Sequence, residues 1–162
     1  MPVPAVIATA AENYRFNYDL LVKTVKDLSP EEWLSRPGDR GNHIAWLVGH
    51  VTWTRGRLLS RLGTTWSQPW LDLFARGSKI EDANQYPAPE KLLDGWHEVS
   101  GVLTDALGNA PEELLAQPVT QGLPSTDGKL SGIVNFLAIH ETQHMGQIIY
   151  LRCWLGNKGP MS

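Results

Sequence analysis

Four long stretches of the chain carry apolar residues three and four apart, and none alternates convincingly with period two. The first runs from about Ala5 to Leu28, with Tyr14, Tyr18, Leu21, Val25 and Leu28 in register. The second runs from about Asn42 to Leu62, on a stripe of Ile44, Leu47, Val48, Val51, Leu58, Leu59 and Leu62. The third covers Pro89 to Leu107, with Leu92, Trp96, Val99, Leu103 and Leu107 on one face, and the fourth about Ser131 to Leu155. Gly63, Gly108 and Gly156 stand where C-terminal glycine caps belong, and Pro89 suits a first helical turn. Ser29-Pro30-Glu31-Glu32 reads as a capping box, and Pro111-Glu112-Glu113 as a similar start. The pattern predicts an all-α protein. Gly63 to Ala88, a connection of about 25 residues, holds Trp66, Trp70, Phe74 and Tyr86, so it is expected to pack down.

A weak internal repeat relates residues 30–37 to residues 111–118, at an offset of 81. With nine more residues in the following loop, helix two aligns with helix four: Trp46 meets Phe136, Leu47 meets Leu137 and His50 meets His140. The repeat predicts that His50 and His140 face each other near a pseudo-two-fold axis.

Composition narrows the function. The 162 residues fit one domain, expected to span 1–162, with enough chain to bury a core unaided. A formal net charge of −3 gives no long-range attraction to nucleic acid. The single Cys153 cannot form an internal disulfide. Met1-Pro2-Val3-Pro4 does not read as a signal peptide, and no apolar run approaches the roughly 20 residues of a spanning helix, so a cytoplasmic protein is expected.

The histidines carry the chemistry. At 100° per residue, Leu137, His140, His144, Gln147, Ile148, Leu151 and Leu155 fall within about 60° of Ile133. His140 and His144 are therefore expected mid-stripe, one turn apart on one face, as two ligands of one metal require. A pair of hydrogen-bonded core histidines would need two buried partners, and nearby carboxylates are scarce. No His, Asp or Glu follows His144, so a third ligand comes from upstream. His50, mid-helix between Trp46 and Trp53, is favoured. His43, on the same side but at the helix start, is second and is expected to meet water or a cap. His97 lies off its stripe, at a surface position.

His140-Glu141-Thr142-Gln143-His144 also fits the HExxH zinc-peptidase pattern. No downstream third ligand exists, and no strand is at hand to bind an extended peptide. Glu141, about 100° from His140, reads as solvated or as a residue supporting a ligand. Arg55, Arg57 and Arg61 are the nearest thing to a basic patch and read as cations at a helix C-terminal half. Cys153 reads as a small packed side chain. Gly95, Gly101, Gly132 and Gly146 are possible marks of close helix contact. Trp46, Trp53, Trp66 and Trp70 are candidate pocket walls, and Gln147 either touches the site or fills the core.

Residues 42–50, Asn42-His43-Ile44-Ala45-Trp46-Leu47-Val48-Gly49-His50, resemble the first metal-ligand helix of the DinB/YfiT-like superfamily. Residues 140–148, His140-Glu141-Thr142-Gln143-His144-Met145-Gly146-Gln147-Ile148, resemble its second signature. The resemblance spans essentially the whole chain. It implies a four-helix bundle of up-down-down-up order and a divalent metal held by His50, His140 and His144 at one end of a pocket. It also implies a homodimer. Some branches carry a second histidine and an arginine where this chain has Gln143 and Met145, so no anionic-substrate contact is transferred to position 145.

Three neutral imidazoles leave a divalent ion with open positions, which is the catalytic pattern. Zinc and nickel lead, and iron or manganese would also fit. Because characterised members of the family it resembles include thiol-dependent transferases, the leading expectation is a small-molecule thiol S-transferase with a low-molecular-weight thiol as co-substrate. A metal-dependent hydrolase on the same site and a non-catalytic metal- or ligand-binding dimer are the alternatives. Trp46, Trp53, Gln147 and Glu141 are candidates to support the ligands or wall the pocket.

Overall fold

The computed structural model describes residues 2–38, 41–120 and 122–161, so Met1 of the opening tetrapeptide lies outside the described residues. These residues form α1 (Ala8–Val25), α2 (Pro30–Leu34), α3 (Ile44–Arg61), α4 (Pro89–Gly108), α5 (Glu112–Leu115) and α6 (Leu130–Trp154). Short 3-10 turns occupy Ala5–Ile7, Leu71–Phe74 and Ala83–Gln85. No strand is present among the described residues, apart from one isolated bridge between Pro118 and Lys129. No helix among them is long and apolar enough to cross a membrane.

Side-chain contacts fix the helix directions. Along α1 and α6 the numbers rise together: Tyr14 reaches Val134, Asn17 reaches Thr142 and Arg152 reaches Thr24. These two helices are parallel. Tyr18 touches Trp96 and His97, while Tyr14 and Ser100 share Arg55, so α4 runs against α1. His50 meets His144 and Arg55 meets Glu141, so α3 runs against α6. The bundle is up-down-down-up, as the resemblance implies.

That order explains the long connection. Two consecutive helices running in the same direction need a return path along the bundle. The 18-residue α3 is about 27 Å long. Residues between α3 and α4 make that return, and their aromatic side chains hold it down. Phe74 is fully buried, and Trp70 and Tyr86 nearly so. A Cβ at Gly49 would collide with the Phe74 ring, and one at Gly95 with Trp70. These two helical glycines let the crossover seat against α3 and α4. Gly132 is likewise covered, by Ser125 and Asp127, whereas Gly101 and Gly146 have open space above them.

The capping box at Ser29 forms as expected: Glu32 N–H donates to Ser29 Oγ, and Ser29 N–H donates to Glu32 Oε2. His43 is the cap of α3, its Nδ1 accepting from Trp46 N–H at 3.0 Å. Burial, then Arg36, pushes its pKa down to about 4. The neutral ring this maintains is the form that can accept the bond.

Expectations for Arg55, Glu141 and Cys153 need correction. Arg55 is no solvated helix-end cation but lies buried at the centre of the bundle. It donates to both carboxylate oxygens of Glu141 at 2.7 Å, to Ser100 Oγ at 2.7 Å and to the Tyr14 carbonyl at 2.8 Å. Its guanidinium also lies 3.9 Å from the Trp96 ring centroid. Glu141 is therefore 1% exposed rather than solvated. Cys153 is exposed rather than packed.

Candidate metal centre

The centre is built where α3 and α6 cross. Their antiparallel pairing sets His50 opposite His140 and His144, with ring centroids 5.5 and 5.1 Å away. One nitrogen from each of the three rings lies within 4.8 Å of the others. His140 Nε2 and His144 Nε2 are 3.1 Å apart. With metal–nitrogen bonds of about 2.0–2.1 Å, two imidazoles on one ion sit at about that separation.

Two of the three outward nitrogens are tied to the protein. His50 Nδ1–H donates to the Phe74 carbonyl at 2.8 Å, which leaves Nε2 with its lone pair. His144 Nδ1–H donates to Gln147 Oε1 at 2.7 Å, with the same result. His50 is clamped between Trp46 and Trp53, whose rings lie nearly parallel to it at 4.7 and 5.7 Å. Burial lowers the pKa of His50; the Phe74 carbonyl works against this and nearby His144 adds to it. Burial is also the main cause at His140, followed by His144, His50 and Arg76, and together they bring it down to about 4. Both rings are neutral near pH 7, the state in which imidazole binds metal.

This donor set fits a divalent cation. Ring nitrogens of His50, His140 and His144 face one another across a short gap, as ligands of one ion do. His140 Nδ1, the third outward nitrogen, is buried with no hydrogen-bond partner among the described residues.

The histidines form one side of a cavity of about 520 Å³. Trp46, Trp53, Leu123, Pro124, Phe136 and Leu137 supply apolar wall. Trp66 and Trp70 do not line it: Trp66 covers Gly56 on α3 and Trp70 is buried over Gly95. His140 and His144 are half-buried at this cavity rather than in mid-core, and Gln147 is exposed. The core side of α6 carries Leu137, Glu141, Met145, Ile148 and Arg152 instead. His97 is exposed and bonds Tyr18. Glu141 stays outside the cavity. With both its oxygens held by Arg55, it cannot serve as the base of a peptidase.

Sequence reasoning did not find Phe74, whose contribution is a backbone carbonyl with no residue signature, nor Arg76, Leu123 and Pro124, which arrive on loops. A model of the DinB superfamily matches residues 13–148, and the chain belongs to that superfamily. A search of curated proteins gave no significant match.

Proposed function

We propose that this DinB-superfamily member is a divalent-metal-dependent enzyme that transfers a small-molecule thiol to an electrophile. The observation that carries the proposal is the convergence of three histidines on one side of a 520 Å³ cavity. His50, His140 and His144 would hold the ion, with zinc or nickel favoured by the imidazole set. When bound, it would supply Lewis acidity that keeps a thiol as thiolate near neutral pH.

The chain's own residues do the rest. Phe74 and Gln147 hold the Nδ1 protons and aim the Nε2 lone pairs inward. Trp46 and Trp53 fix the His50 ring and keep water from its faces. Phe136, Leu137, Leu123 and Pro124 offer apolar surface to the electrophile's carbon skeleton. A volume of 520 Å³ suits a small molecule rather than a polymer. We further propose a homodimer through α6: Ile139, Tyr150 and Trp154 are all exposed and share one side of that helix. Sedimentation of the wild type against Tyr150→Lys tests it, and a monomeric wild type refutes it.

The catalytic proposal is tested by loading the protein with zinc, nickel or manganese and assaying conjugation of several thiols to a model electrophile. Metal-dependent conjugation that His144→Ala removes is expected. Turnover without any thiol would replace transfer by hydrolysis, and no metal-dependent turnover would reject both.

A further inference from the structure

Three arginines line the cavity: Arg57 and Arg61, one turn apart on α3, and Arg76 from the crossover. Among the described residues no Asp or Glu lines it, although the chain has 17 acidic residues against 14 basic ones. Among the described residues none of these three guanidiniums makes a hydrogen bond or an ion pair, whereas Arg55 and Arg152 are both paired. Arg61 is also fitted into place. Gly122, at φ +107°, lies so close that a Cβ there would come within 3.0 Å of Arg61 Nη2. A net-negative chain thus gathers unpaired positive charge beside a site suited to a cation. Mutual repulsion makes that arrangement unfavourable while the cavity is empty, and an entering anion relieves it.

We infer that the cavity binds a small molecule carrying an acidic group, a carboxylate or a phosphate, on Arg57, Arg61 and Arg76, with its apolar body against Trp53, Phe136 and Leu123. The inference rests on reading this cavity as the substrate chamber of the histidine site. Arginine suits both acids because its planar fork donates two parallel hydrogen bonds.

The test separates the inference from the metal proposal by using metal-free, chelator-free protein. Phenylphosphonate, benzoate and neutral benzyl alcohol are titrated calorimetrically at low and high salt. The acids are expected to bind, more weakly at high salt. Arg57→Gln, Arg61→Gln and Arg76→Gln each weaken that binding about tenfold, and the triple variant abolishes it. Far-UV circular dichroism checks that each variant keeps its fold, which is expected because Arg57 and Arg76 are exposed and Arg61 is partly so. Tighter phosphonate than benzoate points to a phosphate ester, and the reverse to a carboxylic acid. Equal binding of benzyl alcohol, or a triple variant that binds acids like the wild type, overturns the inference. If acids bind through the arginines while no ion binds the histidines, the inference stands and the metal proposal falls.

Discussion

Replacing Arg55 by Met removes the cation that ties α1, α3, α4 and α6 together. Its partners are Glu141 through two 2.7 Å bonds, Ser100 Oγ at 2.7 Å and the Tyr14 carbonyl at 2.8 Å. Arg55 and Glu141 are 2% and 1% exposed, so water cannot take the place of the lost guanidinium. Stranding a buried charge in this way costs about 3–5 kcal/mol. The contact with Trp96 adds to the loss, although a Met side chain recovers some of it through its own packing on the ring. Ser100 keeps its bond to the Trp96 carbonyl and adds little. The net expectation is about 4 kcal/mol, a large share of the roughly 5–15 kcal/mol that holds such a domain together. Urea denaturation of metal-free protein, followed by circular dichroism, measures it. Arg55→Met/Glu141→Leu should recover most of the loss, because an apolar pair of similar volume replaces a buried ion pair at little cost. A single-variant loss below about 1 kcal/mol, or a double variant as unstable as the sum of the singles, would refute the reasoning.

Gly49→Ala gains about 1 kcal/mol of helix propensity but drives a Cβ into the Phe74 ring, a clash costing about 1–3 kcal/mol. The clash is expected to win, lowering the urea midpoint and weakening zinc binding as the Phe74 carbonyl leaves His50. Gly101→Ala meets nothing within 4 Å, so the same assay should find it stabilised by up to about 1 kcal/mol. Gln147→Leu removes the acceptor that fixes the His144 tautomer and should cost about 10–100-fold in zinc affinity by competition with a chelating dye. His43 has a folded pKa of about 4, below its ordinary 6.5. Between these values the unfolded chain binds a proton that the folded chain refuses, so stability falls as pH drops from 6.5 towards 4, by up to about 1.4 kcal/mol per unit. His43→Asn keeps a capping oxygen but does not titrate, and stability against pH, measured by urea unfolding, should show a shallower slope.

The sequence carried the four long helices because their apolar spacing and their capping residues agree with each other. The His140–His144 pair was legible from spacing alone, and His50 from its place between Trp46 and Trp53. The phase of α6 was not. Apolar residues occupy nearly every side of that helix, so a wheel centred on Ile133 put the histidines in mid-core and Glu141 outside, the reverse of their positions. The burial of Arg55 was hidden for a related reason. Its charge predicts solvent, and only the approach of Glu141, 86 residues away, makes burial tolerable. Trp66 and Trp70 looked like pocket walls because a loop gives no periodicity from which to read direction. They are spent instead on covering Gly56 and Gly95.

Calorimetric titration of the metal-free protein with zinc tests the histidine centre most directly. One ion per chain is expected, with affinity falling at least about 100-fold in each of His50→Ala, His140→Ala and His144→Ala as a ligand is lost. No saturable binding by the wild type, or alanine variants that bind zinc as the wild type does, would contradict it.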